Sequence, residues 1–201
     1  MKKILLNTIL FVSILSCKAQ SPVYSLFTDY GSVANAYYKD MDNDFNKFEG
    51  TWLYTNGNTS LKIVFTKRIM HHDTHLNFYT DMLVGEYEYI ENGVLKANTL
   101  ANLSNTSLNL YNNTFSGDFI VPCKYGGPGG NECAIGERRI KLSYKEQDRK
   151  YLNQYVVLRQ YSDQFGVYIK LIHFGQMSIA PDTGPILGPT LPQGTYILTK
   201  Q

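Results

Sequence analysis

The sequence predicts an all-β fold, an antiparallel β-barrel or sandwich of about eight to ten short strands. Three observations carry that reading. Apolar and polar residues alternate at a period of two in several separate runs, the pattern of half-buried strands. Asn56-Gly57 and Asn92-Gly93 each sit between β-rich runs, the strongest short-range hairpin signal. The chain carries 16 Tyr and 10 Phe, residues that favour a pleated surface, and has no amphipathic helical stripe longer than two turns.

Residues 50–65, "GTWLYTNGNTSLKIVF", give the first hairpin, and residues 82–100, "MLVGEYEYIENGVLKANTL", give the second. In the latter Tyr87 and Tyr89 alternate with Glu86 and Glu88, which puts both glutamates on the wet face. "SLNLYNNTFSGDFIV" (107–121) offers two short strands around Asn112-Asn113, and "RRIKLSYKE" (138–146) alternates again. "QYVVLRQY" (154–161) and "GVYIKLIHF" (166–174) flank a turn at "SDQF", and "GTYILTK" (194–200) closes the chain. One-sided alternation suits an antiparallel meander rather than a parallel sheet. No repeat of 20–50 residues is present. Two stretches read as irregular: residues 21–48, and the Pro/Gly-rich 175–194, whose length suits a flap across a barrel mouth.

The N-terminus reads as a targeting segment. Met1-Lys2-Lys3 is a positive start, and residues 4–15 form an apolar run too short to span a bilayer. Ile14-Leu15-Ser16-Cys17 resembles the bacterial lipobox. That resemblance implies cleavage before Cys17 and diacylation of its thiol, and two acyl chains anchor stably where one binds only marginally. Lys18-Ala19-Gln20 resembles lipoproteins of Bacteroidetes-type bacteria without the Ser-plus-acidic run of surface export, which implies an outer-membrane lipoprotein facing the periplasm. The expected organisation is a signal peptide at 1–16, a lipid anchor and irregular segment at 17–48, and an antiparallel β domain at 49–201.

Removing residues 1–16 takes two lysines from 19 basic residues, so 17 face 17 acidic ones. A neutral chain argues against a nucleic-acid partner, which needs a basic patch. With Cys17 assigned to lipid, Cys123 and Cys133 remain as an even pair across the Gly/Pro-rich "KYGGPGGNE". An oxidising compartment favours a disulfide there, worth roughly 2–3 kcal/mol for so short a loop. The rival is a metal site, for which no second Cys pair or His lies nearby at ligand spacing.

Phe48-Glu49-Gly50-Thr51-Trp52, the Asn56-Gly57 hairpin, "VGEYEYIENG" and "LPQGTYILTK" resemble a family of uncharacterised Bacteroidetes lipoproteins over nearly the whole mature chain. That family implies no catalytic residues. More remotely, Gly50-Thr51-Trp52 is similar to the G-x-W of lipocalin-type barrels, where the Trp plugs one end beneath a basic residue of the last strand. Here that strand offers only Lys200.

Candidate chemistry is sparse. His71, His72 and His75 in "HHDTH" are imidazole ligands for zinc or copper, but on a strand His71 and His72 point to opposite faces. A solvated turn between two strands is the simpler reading. Asp40, Asp42 and Asp44 open an EF-hand-like pattern. Phe45 stands where such a loop needs Gly, and Thr51 where it needs the bidentate Glu. An acidic solvated loop accounts for them. There is no G-x-S-x-G elbow, and His173 in "KLIHF" reads as a satisfied sheet residue. Glu86 and Glu88 share one strand face about 7 Å apart, a separation glycosidases use, yet their alternation with tyrosines explains them. "GGPGG" (126–130) opens no helix and so lacks the context of a phosphate loop.

The expectation is therefore a non-catalytic envelope protein with no cofactor. One reading is a binding module for a small apolar or glycan ligand, motivated by its aromatic content. The other is an envelope protein that presents a strand edge or loop to another protein. A cavity inside the barrel favours the first, and a filled core with an exposed apolar patch favours the second.

Overall fold

The computed structural model describes residues 21–29, 31, 33–123, 132, 134–177, 185 and 187–201. The signal segment, Cys17 and Cys133 lie outside these. The strands are β1 (Val23–Ser25), β2 (Tyr37–Lys39), β3 (Gly50–Asn56), β4 (Thr59–Asp73), β5 (Phe78–Glu91), β6 (Val94–Asn98), β7 (Phe115–Pro122), β8 (Arg138–Tyr144), β9 (Leu152–Asp163), β10 (Gly166–Met177) and β11 (Gly194–Lys200).

Eight of them close an antiparallel barrel. The order is β3-β4-β5-β7-β8-β9-β10-β11, and β11 returns to β3 with Lys200 opposite Trp52. Of the two architectures the sequence allows, the barrel forms, because the β11–β3 pairing leaves no free edge between two sheets. The long β5 takes three partners in turn along one edge. These are β2 in parallel at Tyr79 and Thr80, β7 from Leu83 to Gly85, and β6 from Glu88 to Glu91. Among the described residues no helix is long and apolar enough to cross a membrane.

Local chemistry explains most turns. Asn92 and Gly93 take φ of 51° and 79°, both positive as a type I′ hairpin requires. In the first hairpin Asn56 pairs with Thr59, so the turn slides to Gly57-Asn58, with Gly57 at φ 55°. Two expectations are corrected. Residues 21–48 are not wholly irregular, since β1 and β2 cover the β5 edge that β7 does not reach, and Phe45–Lys47 forms a 3-10 turn. Within 107–121 only one strand forms. Leu110–Asn112 is a 3-10 turn, because the Asn109 side chain accepts the Tyr111 N–H at 3.0 Å and competes with any ladder.

The lumen is filled. Trp52, Ile63 and Tyr87 sit opposite one another on β3, β4 and β5, as do Ile140, Leu158, Leu171 and Tyr196 on β8 to β11. All are buried core residues. Gly85 makes room for the Phe65 ring, since a Cβ there would stand 2.5 Å from a ring carbon. Phe65, Phe115, Tyr87 and Tyr144 then pack edge-on or tilted with centroids 5.4–6.1 Å apart, the preferred aromatic geometry.

Both ends are sealed. At one, Trp52 is fully buried, its Nε1–H donates to the Phe48 carbonyl at 2.7 Å, and the Lys200 ammonium lies 5.5 Å from its ring centroid. At the other, Leu191 is fully buried in the core; most of the middle of the Pro/Gly-rich stretch, where the sequence suits a flap, lies outside the described residues.

Candidate functional site

The residues singled out in the sequence do not converge. Asp40 accepts the N–H groups of Asp44 and Phe45 at 2.8 and 3.0 Å and pairs with Lys67 at 2.9 Å. Asp42 pairs with Arg138, and Asp44 with both Lys47 and Arg138. These carboxylates are committed to amides and cations. His71 packs on Tyr111 with its pKa lowered by burial, and His72 stacks on Tyr79 at 4.6 Å. Both lie on β4 rather than in a turn, because β4 continues to Asp73, and the exposed His75 follows in the turn proper. Among the described residues no three His, Cys, Asp or Glu side chains form a group that could hold a metal. Cys123 is buried. Gly50 takes φ 112° beside Lys200 and Trp52 at the sealed end.

Glu86 corrects the wet-face expectation, being fully buried. Its outer face of β5 is covered by the excursion between β6 and β7. Thr114 donates both its N–H (3.1 Å) and its hydroxyl (2.6 Å) to the carboxylate, and burial pushes the Glu86 pKa up. Glu88 stays half-buried and accepts from Asn98 at 2.8 Å. The excursion is thus pinned against the barrel by an internal carboxylate, and it shapes what lies outside.

Beside it runs a furrow on the outer wall. The first pocket, about 340 Å³, is lined by Tyr111, Ser116, Asp118, Phe119, Lys141 and Tyr155 among others. It opens where a bulge shifts the β7–β8 register between Ser116 and Phe119, a device that re-aims side chains. Tyr111 also lines a second pocket of about 400 Å³ with His71 and Asn109. Lys145 lines both the first and a third of about 330 Å³, with Asn98, Asn102, Asn112, Gln147 and Arg149. Tyr111 thus joins the first pocket to the second, and Lys145 joins it to the third.

The third pocket reaches the latch that holds Leu191. Tyr144 Oη donates to Glu146 at 2.6 Å, Thr190 donates its N–H (2.6 Å) and hydroxyl (2.8 Å), and Arg149 stands 3.0 Å away. Tyr144 has one proton and gives it to Glu146, so at the 3.0 Å Tyr87–Tyr144 contact Tyr87 is the donor. Burial raises both tyrosine pKa values and lowers that of His173, whose Nδ1 sits 3.2 Å from the Pro192 carbonyl. These phenols and this imidazole are neutral and structural. His173 is satisfied at one nitrogen; among the described residues Nε2 has no hydrogen-bond partner.

Asp118 differs. It is 4% exposed, its Oδ2 accepts the Thr80 hydroxyl at 3.1 Å, and burial pushes its pKa up to about 6. Sequence reasoning missed the furrow entirely. Its walls come from several separated stretches of chain, and Tyr111, Lys141, Lys145 and Arg149 carry no local motif that marks them.

No curated protein and no solved structure matches the chain. A family model does match, over residues 1–201, and the chain belongs to that family of unknown function, DUF6705.

Proposed function

We propose that the chain is a lipid-anchored, non-catalytic binding module of the bacterial cell envelope that holds a glycan against the outside of a solid barrel. The observation that carries this reading is the pairing of a filled lumen with an outer furrow. A lipocalin-type cup for an apolar ligand needs an empty lumen, and here aromatic side chains occupy it. The furrow instead offers Tyr faces, amides of Asn and Gln, hydroxyls and cations. Aromatic faces pack on the apolar faces of sugar rings while amides and hydroxyls take their hydroxyl groups. The test is a glycan array probed with the purified protein. Reproducible binding that is lost on Tyr155→Ala with the fold intact supports the reading, and an array blank at millimolar ligand sinks it.

The anchor stands on the lipobox-like Ile14-Leu15-Ser16-Cys17, and the disulfide on Cys123 and Cys133. Cys17→Ala should move the protein from the membrane pellet to the soluble fraction. A variant that still sediments with membranes rejects lipidation as the anchor.

The second reading, docking to an envelope protein, has its own observation. The β9–β10 hairpin outruns its neighbours, since β8 pairs with β9 only up to Leu158 and β11 with β10 only from Tyr168. Its tip exposes Phe165 at 80% and carries the Tyr161–Tyr168 stack at 5.3 Å. Crosslinking from position 165 in cells separates the two, because a single protein captured there and lost on Phe165→Ser favours docking.

A further inference from the structure

We infer that the pocket at the β7–β8 bulge is the subsite for an acidic sugar, taking the anionic group of a glycan residue between Lys141 and Lys145. The inference rests on the glycan reading above and gives its ligand a charge and a place.

The register supplies the arrangement. Lys141 of β8 stands between Phe119 of β7 and Val157 of β9, and in the next outward row Ser143 stands between Ser116 and Tyr155. The wall therefore presents one ammonium, two hydroxyls and an aromatic face side by side. Tyr155 continues into Phe174 at 6.0 Å, so the aromatic surface is wider than one ring. The Lys141 ammonium lies 4.5 Å from the Tyr155 centroid. The Lys145 ammonium donates to the Tyr111 carbonyl at 2.8 Å across the same pocket. Among the described residues neither lysine has a carboxylate partner within ion-pair distance. Among the described residues Lys47, Lys67, Lys96, Arg138, Arg139, Arg149, Arg159 and Lys170 do have one.

The acid in the pocket lining, Asp118, does not fill that role. It is buried, it takes its hydrogen bond from Thr80, and it stands within ion-pair distance of neither lysine. Two ammonium groups over a half-apolar floor then create a local positive field whose natural complement is a carboxylate or sulfate carried on a ring that packs on Tyr155. A free inorganic anion satisfies the charges but leaves the aromatic wall unused. A neutral sugar does the reverse. The volume of about 340 Å³ is at the small end of ligand pockets and suits one ring with its substituent.

The test uses the purified protein and ligand-observed NMR at millimolar probe. The panel contains oligosaccharides bearing hexuronate, sialate or sulfate groups, each with its neutral counterpart (methyl ester or desulfated form), and inorganic sulfate alone. At least one acidic probe should bind tenfold or more tightly than its neutral counterpart. The double variant Lys141→Gln, Lys145→Gln should reduce it to the neutral level with an unchanged far-UV circular dichroism spectrum. Raising salt from 20 to 300 mM should weaken the acidic probe several-fold and leave the neutral one unmoved. The hexuronate and sulfate arms tell which anion is taken. Neutral probes binding as well as acidic ones overturn this inference and leave the glycan reading standing. Inorganic sulfate binding as tightly as the sugars also overturns it, as an anion site without a sugar. If nothing in the panel binds, this inference falls, and the glycan array decides the wider reading separately.

Discussion

The barrel's two ends are closed by different physics. At one end a fully buried indole is tied to a carbonyl four residues back and roofed by Lys200. At the other, Leu191 is held by a carboxylate that gathers Tyr144, Thr190 and Arg149, with the Thr190 contacts spanning 44 residues of sequence. The first closure depends on volume and is concentrated in one side chain. The second depends on satisfied polar groups and is shared among four. Loss of volume leaves a cavity whose cost grows with its size. Loss of one acceptor leaves several buried donors without partners.

The largest expected effect is therefore at the indole. Trp52→Ala should lower unfolding stability by about 3–5 kcal/mol, read as a fall in denaturation midpoint at constant m. A loss under 1 kcal/mol would mean that this end is not sealed by Trp52. Next comes the latch. Glu146→Ala should cost about 2–3 kcal/mol, and it should do so locally, with hydrogen exchange of the Leu191 amide rising well before that of the β8–β9 ladder. Uniform acceleration of both would show that the mouth segment is no independent unit and would erase the distinction between the two ends.

The same contrast explains what the sequence disclosed. The all-β class and the two Asn-Gly hairpins rest on features within a few residues, and both are found. Lys200 is the exception that fits, since it closes the barrel by pairing with Trp52 at long range, yet the G-x-W resemblance itself asked for a basic residue there. The latch and the furrow were illegible. Glu146 and Thr190 mean nothing apart, and Glu86 looked wet because its strand alternates, until an excursion that no periodicity marks folded over it. The β2 strand was missed because three residues in parallel pairing carry no pattern of their own. Periodicity reports which face a residue occupies, and it does not report what later chain covers that face.

Asp118 sharpens the comparison as a buried carboxyl with one side-chain donor, Thr80, where Glu146 has several. Its folded pKa of about 6 lies above the ordinary 3.8, so the folded state holds the proton more tightly than the unfolded state. Stability from this group is then intact below about pH 4, falls as pH rises toward 6, and stays reduced above it. Asp118→Asn keeps the shape and removes the charge. It should stabilise the protein by about 1–2 kcal/mol at pH 7.5, with the gain fading to nothing near pH 4. A gain independent of pH would assign the effect to packing, and a loss at pH 7.5 would mean that the charged carboxylate is wanted where it stands.

The smallest expected effect tests whether the Trp52 end is truly a one-residue closure. The Lys200 ammonium lies 5.5 Å from the indole centroid at an exposed position, where a cation over an aromatic ring is worth about 0.5–1 kcal/mol. Lys200→Met keeps the apolar stem and removes the charge, so it should lose about 0.5 kcal/mol, and Lys200→Arg should lose nothing. The informative quantity is the coupling in a double-mutant cycle with Trp52→Phe. If the two losses add, Lys200 contributes only its place on β11 and the indole closes the end alone. If they couple by the full value of the lysine's own loss, the roof and the plug act as one unit. The end made from local sequence would then share the cooperative character of the end made from distant sequence.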